Sequence, residues 1–169
     1  LGTILTRTGK LNEAKAQYDI VLDNLTYAKQ YKTYFNLGII HLKLKENIQA
    51  TNYFQQSINE NPNYCPAFFQ LGNINFKNKD YKSSLEYYKK ASLGTCYNNP
   101  DSVYRQALSL MKLEEFGKAK LKLEEIIERF SLTKFKTLAK KKLKVLNEKI
   151  YNPELETIEK KRNILSPNF

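Results

Sequence analysis

Residues 65–91 read CPAFFQLGNINFKNKDYKSSLEYYKKA, two amphipathic runs of helical period that meet just ahead of Tyr81. The features of this stretch return along the chain. Leu71-Gly72 is preceded by Leu1-Gly2 and Leu37-Gly38 and followed, in blurred form, by Gln106-Ala107. Ser84 belongs to a column of small residues with Ala14, Ala50 and Ala119, spaced 36, 34 and 35 apart. One turn later stands a bulky column of Tyr18, Phe54, Tyr88 and Leu123, and a further turn on come Val21, Ser57, Ala91 and Ile126. A unit of about 34 residues repeated in this way means helix pairs that bury their apolar faces by stacking on one another.

Each column has a packing reason. Antiparallel helices approach closely only where one presents Gly or Ala, and the large residue four positions on fills the space beside that contact. The inter-helix turn is marked by an apolar column three residues before the small one, at Leu11, Asn47, Tyr81 and Phe116, of which Asn47 alone is off pattern. Pro62 stands where a second helix ends, Cys65-Pro66 opens the third hairpin, Gly94 is a helix stop, and Asn99-Pro100 reads as an N-cap and first helical residue.

The 169 residues are 41% apolar and 12% aromatic, sufficient for a core, and six Gly, five Pro and the lack of long alternating runs leave little room for a sheet. No run approaches the roughly 18 apolar residues of a membrane span. Leu1-Gly2 falls in mid-helix in the register of the repeat, so residues ahead of it are expected. The sole histidine, His41, takes a position usually filled by a packing aromatic and reads as structural. Two Cys and one His give no zinc spacing, and no phosphate-binding glycine loop or nucleophile motif occurs. Glu114-Glu115 and Glu124-Glu125 have lysines three or four residues away and read as surface ion pairs. These observations point to a protein that is not an enzyme and holds no cofactor or metal.

The net charge of +11 would suit nucleic acid or an anionic membrane. The lysines are nevertheless spread over most helices without an aromatic-interleaved basic loop, which favours solvated faces and an acidic protein partner. Arg7, Lys43, Lys77 and Lys112 occupy one position in their hairpins, near the end of the first helix, where a cation complements the helix dipole.

The chain resembles the tetratricopeptide repeat proteins over residues 1–133, with Phe68, Leu71, Gly72, Tyr81, Ser84, Tyr88 and Ala91 on successive signature positions. The resemblance implies an all-α, right-handed superhelical solenoid of four hairpins, the first truncated at its N-terminus, whose first helices line a concave groove for a peptide or helix of another protein. Carried onto this chain, the groove comprises Phe35, Asn36, Ile39, Leu42 and Lys43, then Phe69, Gln70, Asn73, Phe76 and Lys77, then Tyr104, Arg105, Leu108, Met111 and Lys112. The carboxylate clamp of some members needs Lys and Asn where Phe35 and Ile39 stand, and only Asn73 and Arg105 fit it. Residues 134–169 form the end of the array. Phe135, Leu138, Ala139, Leu143, Leu146 and Ile150 make the apolar face of a capping helix with lysines opposite, Asn152-Pro153 starts a short helix to about Ile164, and a tail runs from Ser166 to Phe169.

Cys65 and Cys96 stand at the same end of an antiparallel pair, so a disulfide and two separate thiols are both compatible with the spacing. A bridge would place the protein in an oxidising compartment. More narrowly, residues 54–130, with Cys65-Pro66-Ala67, Thr95-Cys96-Tyr97 and the close at Glu125–Phe130, are similar to the periplasmic tetratricopeptide lipoproteins that act as pilotins. That resemblance implies a type IV pilus assembly factor that binds the pilus secretin and is associated with the outer membrane. The alternative is a cytoplasmic scaffold or chaperone adaptor with free thiols.

Overall fold

The structure is a computed structural model that describes residues 1–24 and 27–151. The short helix and tail expected from Asn152 onward lie outside the described residues. Among the described residues there are nine α-helices: α1 (Gly2–Arg7), α2 (Leu11–Asp23), α3 (Gln30–Lys43), α4 (Asn47–Glu60), α5 (Cys65–Lys77), α6 (Tyr81–Lys90), α7 (Pro100–Lys112), α8 (Phe116–Arg129) and α9 (Lys134–Tyr151). A 3-10 turn spans Gly94–Cys96, and no strand occurs among the described residues. The fold class is thus the all-α one that the periodicity demands. The chain forms two compact units, Leu1–Ser102 and Val103–Phe169.

In the first unit α1 packs on α2, α3 on α4 and α5 on α6, and the hairpins are joined through α2 against α3 and α4 against α5. The second helices begin at Leu11, Asn47 and Tyr81, the off-pattern Asn47 included. Proline sets two further starts. Pro66 occupies the first turn of α5, and Pro100 opens α7 while Asn99 Oδ1 accepts from the Asp101 amide at 3.0 Å. Helix α6 ends at Lys90, ahead of the expected stop at Gly94. Leu93 is extended, and Gly94, at φ +55°, begins the 3-10 turn instead of capping the helix.

The small and bulky columns meet as ring on glycine. A Cβ on Gly2 would lie 2.8 Å from the Tyr18 ring, one on Gly38 2.6 Å from Phe54, and one on Gly72 2.6 Å from Tyr88. Only a residue without a side chain lets each ring lie flat on the facing backbone, so Leu-Gly recurs because Tyr18, Phe54 and Tyr88 recur. Whether the ring carries a hydroxyl is matched one residue past the glycine. Thr3 Oγ1 shares a hydrogen bond with the Tyr18 hydroxyl at 3.2 Å, and the Tyr88 hydroxyl donates to Asn73 Oδ1 at 2.8 Å. The hydroxyl-free Phe54 faces a hairpin with apolar Ile39 at this place. Buried serines pin further backbone carbonyls: Ser84 donates to Gly72 at 3.0 Å, Ser57 to Tyr31 at 2.7 Å and Ser102 to Ala91 at 3.2 Å. Their hydroxyls are satisfied, and for Ser84 this permits serine in a column otherwise filled by alanine.

The turn within each hairpin uses one left-handed residue. Gly9, Lys45, Lys79 and Glu114 all have positive φ, at 82°, 64°, 64° and 61°. The next amide reaches back five residues, from Glu46 to His41, Asp80 to Asn75 and Glu115 to Leu110, each at 2.9 Å. This is the Schellman closure, which satisfies helix-terminal carbonyls.

In the second unit α8 packs on α9. Val103, Ala107 and Leu110 of α7, Ala119, Leu123 and Ile126 of α8, and Ala139 and Leu146 of α9 are buried. The buried side of α9 is narrower than the sequence suggests, since Leu138 and Ile150 are exposed. Glu115, at the N-cap of α8, and Glu124 and Glu125 within it pair with Lys118, Lys120 and Lys122, as their spacing anticipates.

Candidate partner-binding groove

The groove positions of the first unit lie on successive turns of α3 and α5, none of them fully buried. Phe35, Ile39, Leu42 and Phe69 all flank one core cluster built from Ala50, Phe54, Ile58, Ala67, Phe68, Leu71, Ile74 and Ala91. Their rings have packing partners. Phe35 lies 5.6 Å from Phe54 and 5.4 Å from Tyr64, Phe69 lies 5.6 Å from Tyr88, and Phe76 lies 5.2 Å from Tyr81. Each aromatic therefore anchors its hairpin through one face and leaves the remainder toward solvent. Burial, followed by the nearby Tyr31, pushes the Tyr64 phenol above its ordinary range.

Two depressions open beside these rings. Leu42, Asn47, Asn73, Ile74, Lys77 and Asn78 enclose about 130 Å³ between the ends of α3 and α5. Around the first hairpin and α3, a wider cleft of about 480 Å³ includes Thr3, Tyr18, Lys32 and Asn36. Of the residues read from sequence, the structure thus gathers Leu42, Asn73 and Lys77 at one cleft and places Asn36 at the other. Asn73 is engaged twice, accepting from Tyr88 and donating through Nδ2 to Gln70 Oε1 at 3.3 Å. Its amide is used to hold the ring on Gly72, which accounts for Asn at this place without a carboxylate ligand. Thr3 and Lys32 escaped the sequence reading. The available signal was register, because Thr3 precedes Ile39 and Asn73 in one column and Lys32 is one turn from Asn36.

Lys43 and Lys77 are exposed at the last residues of α3 and α5, and Arg7 ends α1 in the same way. All three sit where the helix dipole favours a cation. In the second unit, Tyr104 is buried, with its ring 5.8 Å from Phe135. Arg105, Leu108 and Met111 are half-buried, and Lys112 is exposed at the end of α7.

His41 is buried, stacked 5.0 Å from Tyr53, with Nδ1 2.5 Å from Glu46 Oε2. It ties the end of α3 to the start of α4. Cys65, at the start of α5, and Cys96, at the end of the 3-10 turn, are joined by a disulfide with Cα atoms 6.2 Å apart. The bridge holds the 93–96 segment against α5. Among the described residues no cluster of three metal-ligating side chains occurs.

A tetratricopeptide repeat profile matches residues 31–64 and 66–92. Anaphase-promoting complex subunit 3 of Schizosaccharomyces pombe is 31% identical over 101 residues, which is 58% of this chain and 15% of that protein. Type IV pilus assembly protein PilF of Pseudomonas aeruginosa is 27% identical over 62 residues, 37% of this chain and 25% of PilF. In three dimensions, the solved structure of PilF superposes with a TM-score of 0.67 at 18% identity, over 85% of this chain and 63% of the other. A structure of MamA superposes with a TM-score of 0.71 at 17% identity, over 97% and 87%. This chain spans a quarter or less of the length of the two curated relatives. At these identities the structural likenesses show the fold alone, whereas the profile falls on the hairpins α3–α4 and α5–α6, where glycine and ring meet. Residues 31–64 and 66–92 are thus tetratricopeptide repeats.

Proposed function

We propose that this protein is a non-enzymatic scaffold for type IV pilus assembly in the cell envelope, gripping a segment of the secretin or another envelope partner along α3 and α5. A protein-interaction role follows from the repeat fold. The finer assignment is supported chiefly by the Cys65–Cys96 disulfide, which fits an exported protein, together with the partial likeness to PilF. The half-exposed edges of Phe35, Ile39, Leu42, Phe69 and Phe76 supply apolar contact area. Lys43 and Lys77 at its margin suit an acidic or amphipathic segment. Residues 103–112 offer a further stripe with Arg105, Leu108, Met111 and Lys112.

The test is capture of purified secretin subunit by the immobilised chain. Lys43→Glu/Lys77→Glu leaves the packed rings in place and is expected to weaken capture at least tenfold with unchanged helicity. Full capture by this variant removes the groove assignment, and no capture by the parent chain removes the pilus assignment. The competing reading, a cytoplasmic scaffold, draws on the yeast relative. It requires free thiols in the protein isolated from cells, which thiol alkylation before and after reduction detects by mass.

A further inference from the structure

The lysines of the second unit are unequally matched. Those of α8 face glutamates three or four residues away. Helix α9 carries seven lysines in 18 residues with Glu148 as its single acid, so more than half of the net charge of +11 resides on one helix. No α9 lysine enters an ion pair among the described residues, and Lys134 lies over the Phe135 ring at 5.4 Å. Residues 152–169 contain three glutamates and three basic residues, which leaves the excess unchanged.

The excess is ordered. Ala139 and Leu146 mark the buried side of α9. Lys134, Leu138, Lys141, Val145 and Lys149 are spaced four, three, four and four apart and so fall on one strip turned away from that side. Leu138 and Val145 are 39% and 41% exposed, with Lys141 and Lys144 on one flank and Lys142 and Lys149 on the other. We propose that this strip docks the chain onto an anionic lipid surface.

Lysines flanking Leu138 and Val145 have stems long enough to lie along them with the ammonium groups beyond, the arrangement by which interfacial helices seat apolar side chains among headgroups. The strip is convex, one helix wide and about 22 Å long. It provides neither a cleft for a peptide nor a register for a folded acidic partner, whereas a delocalised anionic surface demands neither. With two apolar residues and many lysines, attachment is mainly electrostatic, reversible and salt-sensitive. The inference uses none of the groove residues and stands whatever the groove binds.

Co-sedimentation of the full chain with phosphatidylcholine vesicles, and with the same vesicles containing about one-third phosphatidylglycerol, tests it. The chain is expected to pellet with the anionic vesicles, to ignore the neutral ones and to be released by high salt. At about fivefold per lysine, Lys134→Gln/Lys141→Gln/Lys149→Gln lowers the partition coefficient about a hundredfold with unchanged circular dichroism. Should that triple variant fail to fold, Leu138→Ser/Val145→Ser is the second probe, expected to bind the anionic vesicles more weakly than the parent chain; binding equal to the parent overturns the proposal. Equal binding to neutral vesicles, retention by a folded lysine variant, or indifference to anionic vesicles while polyglutamate or a DNA duplex is bound would each overturn the proposal.

Discussion

Gly72→Ala should destabilise the first unit, against the usual direction of this substitution in a helix. Alanine is preferred over glycine by about 1 kcal/mol in a helix interior, and at φ below zero it also stiffens the unfolded chain. Opposing this, the new Cβ would stand 2.6 Å from Cε1 and 2.7 Å from Cδ1 of Tyr88. The ring has little room to retreat, since Tyr88 is fully buried and its hydroxyl is tied to Asn73. Overpacking of this kind costs about 1–3 kcal/mol, so the net loss expected is up to about 2 kcal/mol. Gly117→Ala is the internal comparison, because nothing lies within 4 Å of its Cβ position. It should stabilise the second unit by up to about 1 kcal/mol. Urea unfolding followed by far-ultraviolet circular dichroism gives both signs, provided the two units are resolved or fitted together. Tyr88→Leu completes a double-mutant cycle in which the alanine penalty shrinks, with a coupling of at least about 1 kcal/mol. If Gly72→Ala stabilises as Gly117→Ala does, the close contact between glycine and ring is wrong.

Four further outcomes follow from the same geometry. Tyr88→Phe should lose about 1 kcal/mol by breaking the bond to Asn73, whereas Phe54→Tyr, placing a hydroxyl where the hairpin offers Ile39, should cost about 1–3 kcal/mol; adding Ile39→Asn should recover part of it. Lys79→Gly, at φ 64°, should raise the urea midpoint by the equivalent of about 0.5–1 kcal/mol, because relief of the left-handed strain exceeds the extra backbone entropy. Cys65→Ser should cost about 3.5–4 kcal/mol, given the separation of 31 residues between the bridged positions. Hydrogen bonds from Ser83, side chain then backbone, hold the Asp80 carboxyl below its ordinary range. The cap on α6 therefore contributes in full above the unfolded value near pH 4 and is lost as pH falls through the folded one; Asp80→Asn should flatten that acid limb in urea midpoints.

The repeat and its hairpins were legible because each column is a packing requirement that one residue type meets. Gly2, Gly38 and Gly72 announce the ring contact, and the start of α4 at Asn47 shows that register outweighs a single off-pattern residue. The left-handed column was not legible, since Gly9 alone is glycine while Lys45, Lys79 and Glu114 adopt the same φ under tertiary constraint. The positions assigned to the groove were legible as one face of successive helices, whereas the packing of their side chains was not. Phe35, Phe69 and Phe76 share themselves between solvent and a neighbouring ring, and Tyr104 is buried on Phe135, which no helical spacing foretells because the partner ring comes from another helix. Asn73 read as a ligand position and is engaged by Tyr88, a pairing visible only once the columns of both helices are aligned.

The most direct test of nested hairpins is the proton spectrum of the glycines in the folded chain. With aromatic rings seated against Gly2, Gly38 and Gly72, and open space at Gly117, the α-protons of the first three should be displaced upfield by ring currents while those of Gly117 resonate at ordinary values. Ordinary shifts at Gly38 and Gly72 would contradict the packing on which the fold, the groove and every stability prediction depend.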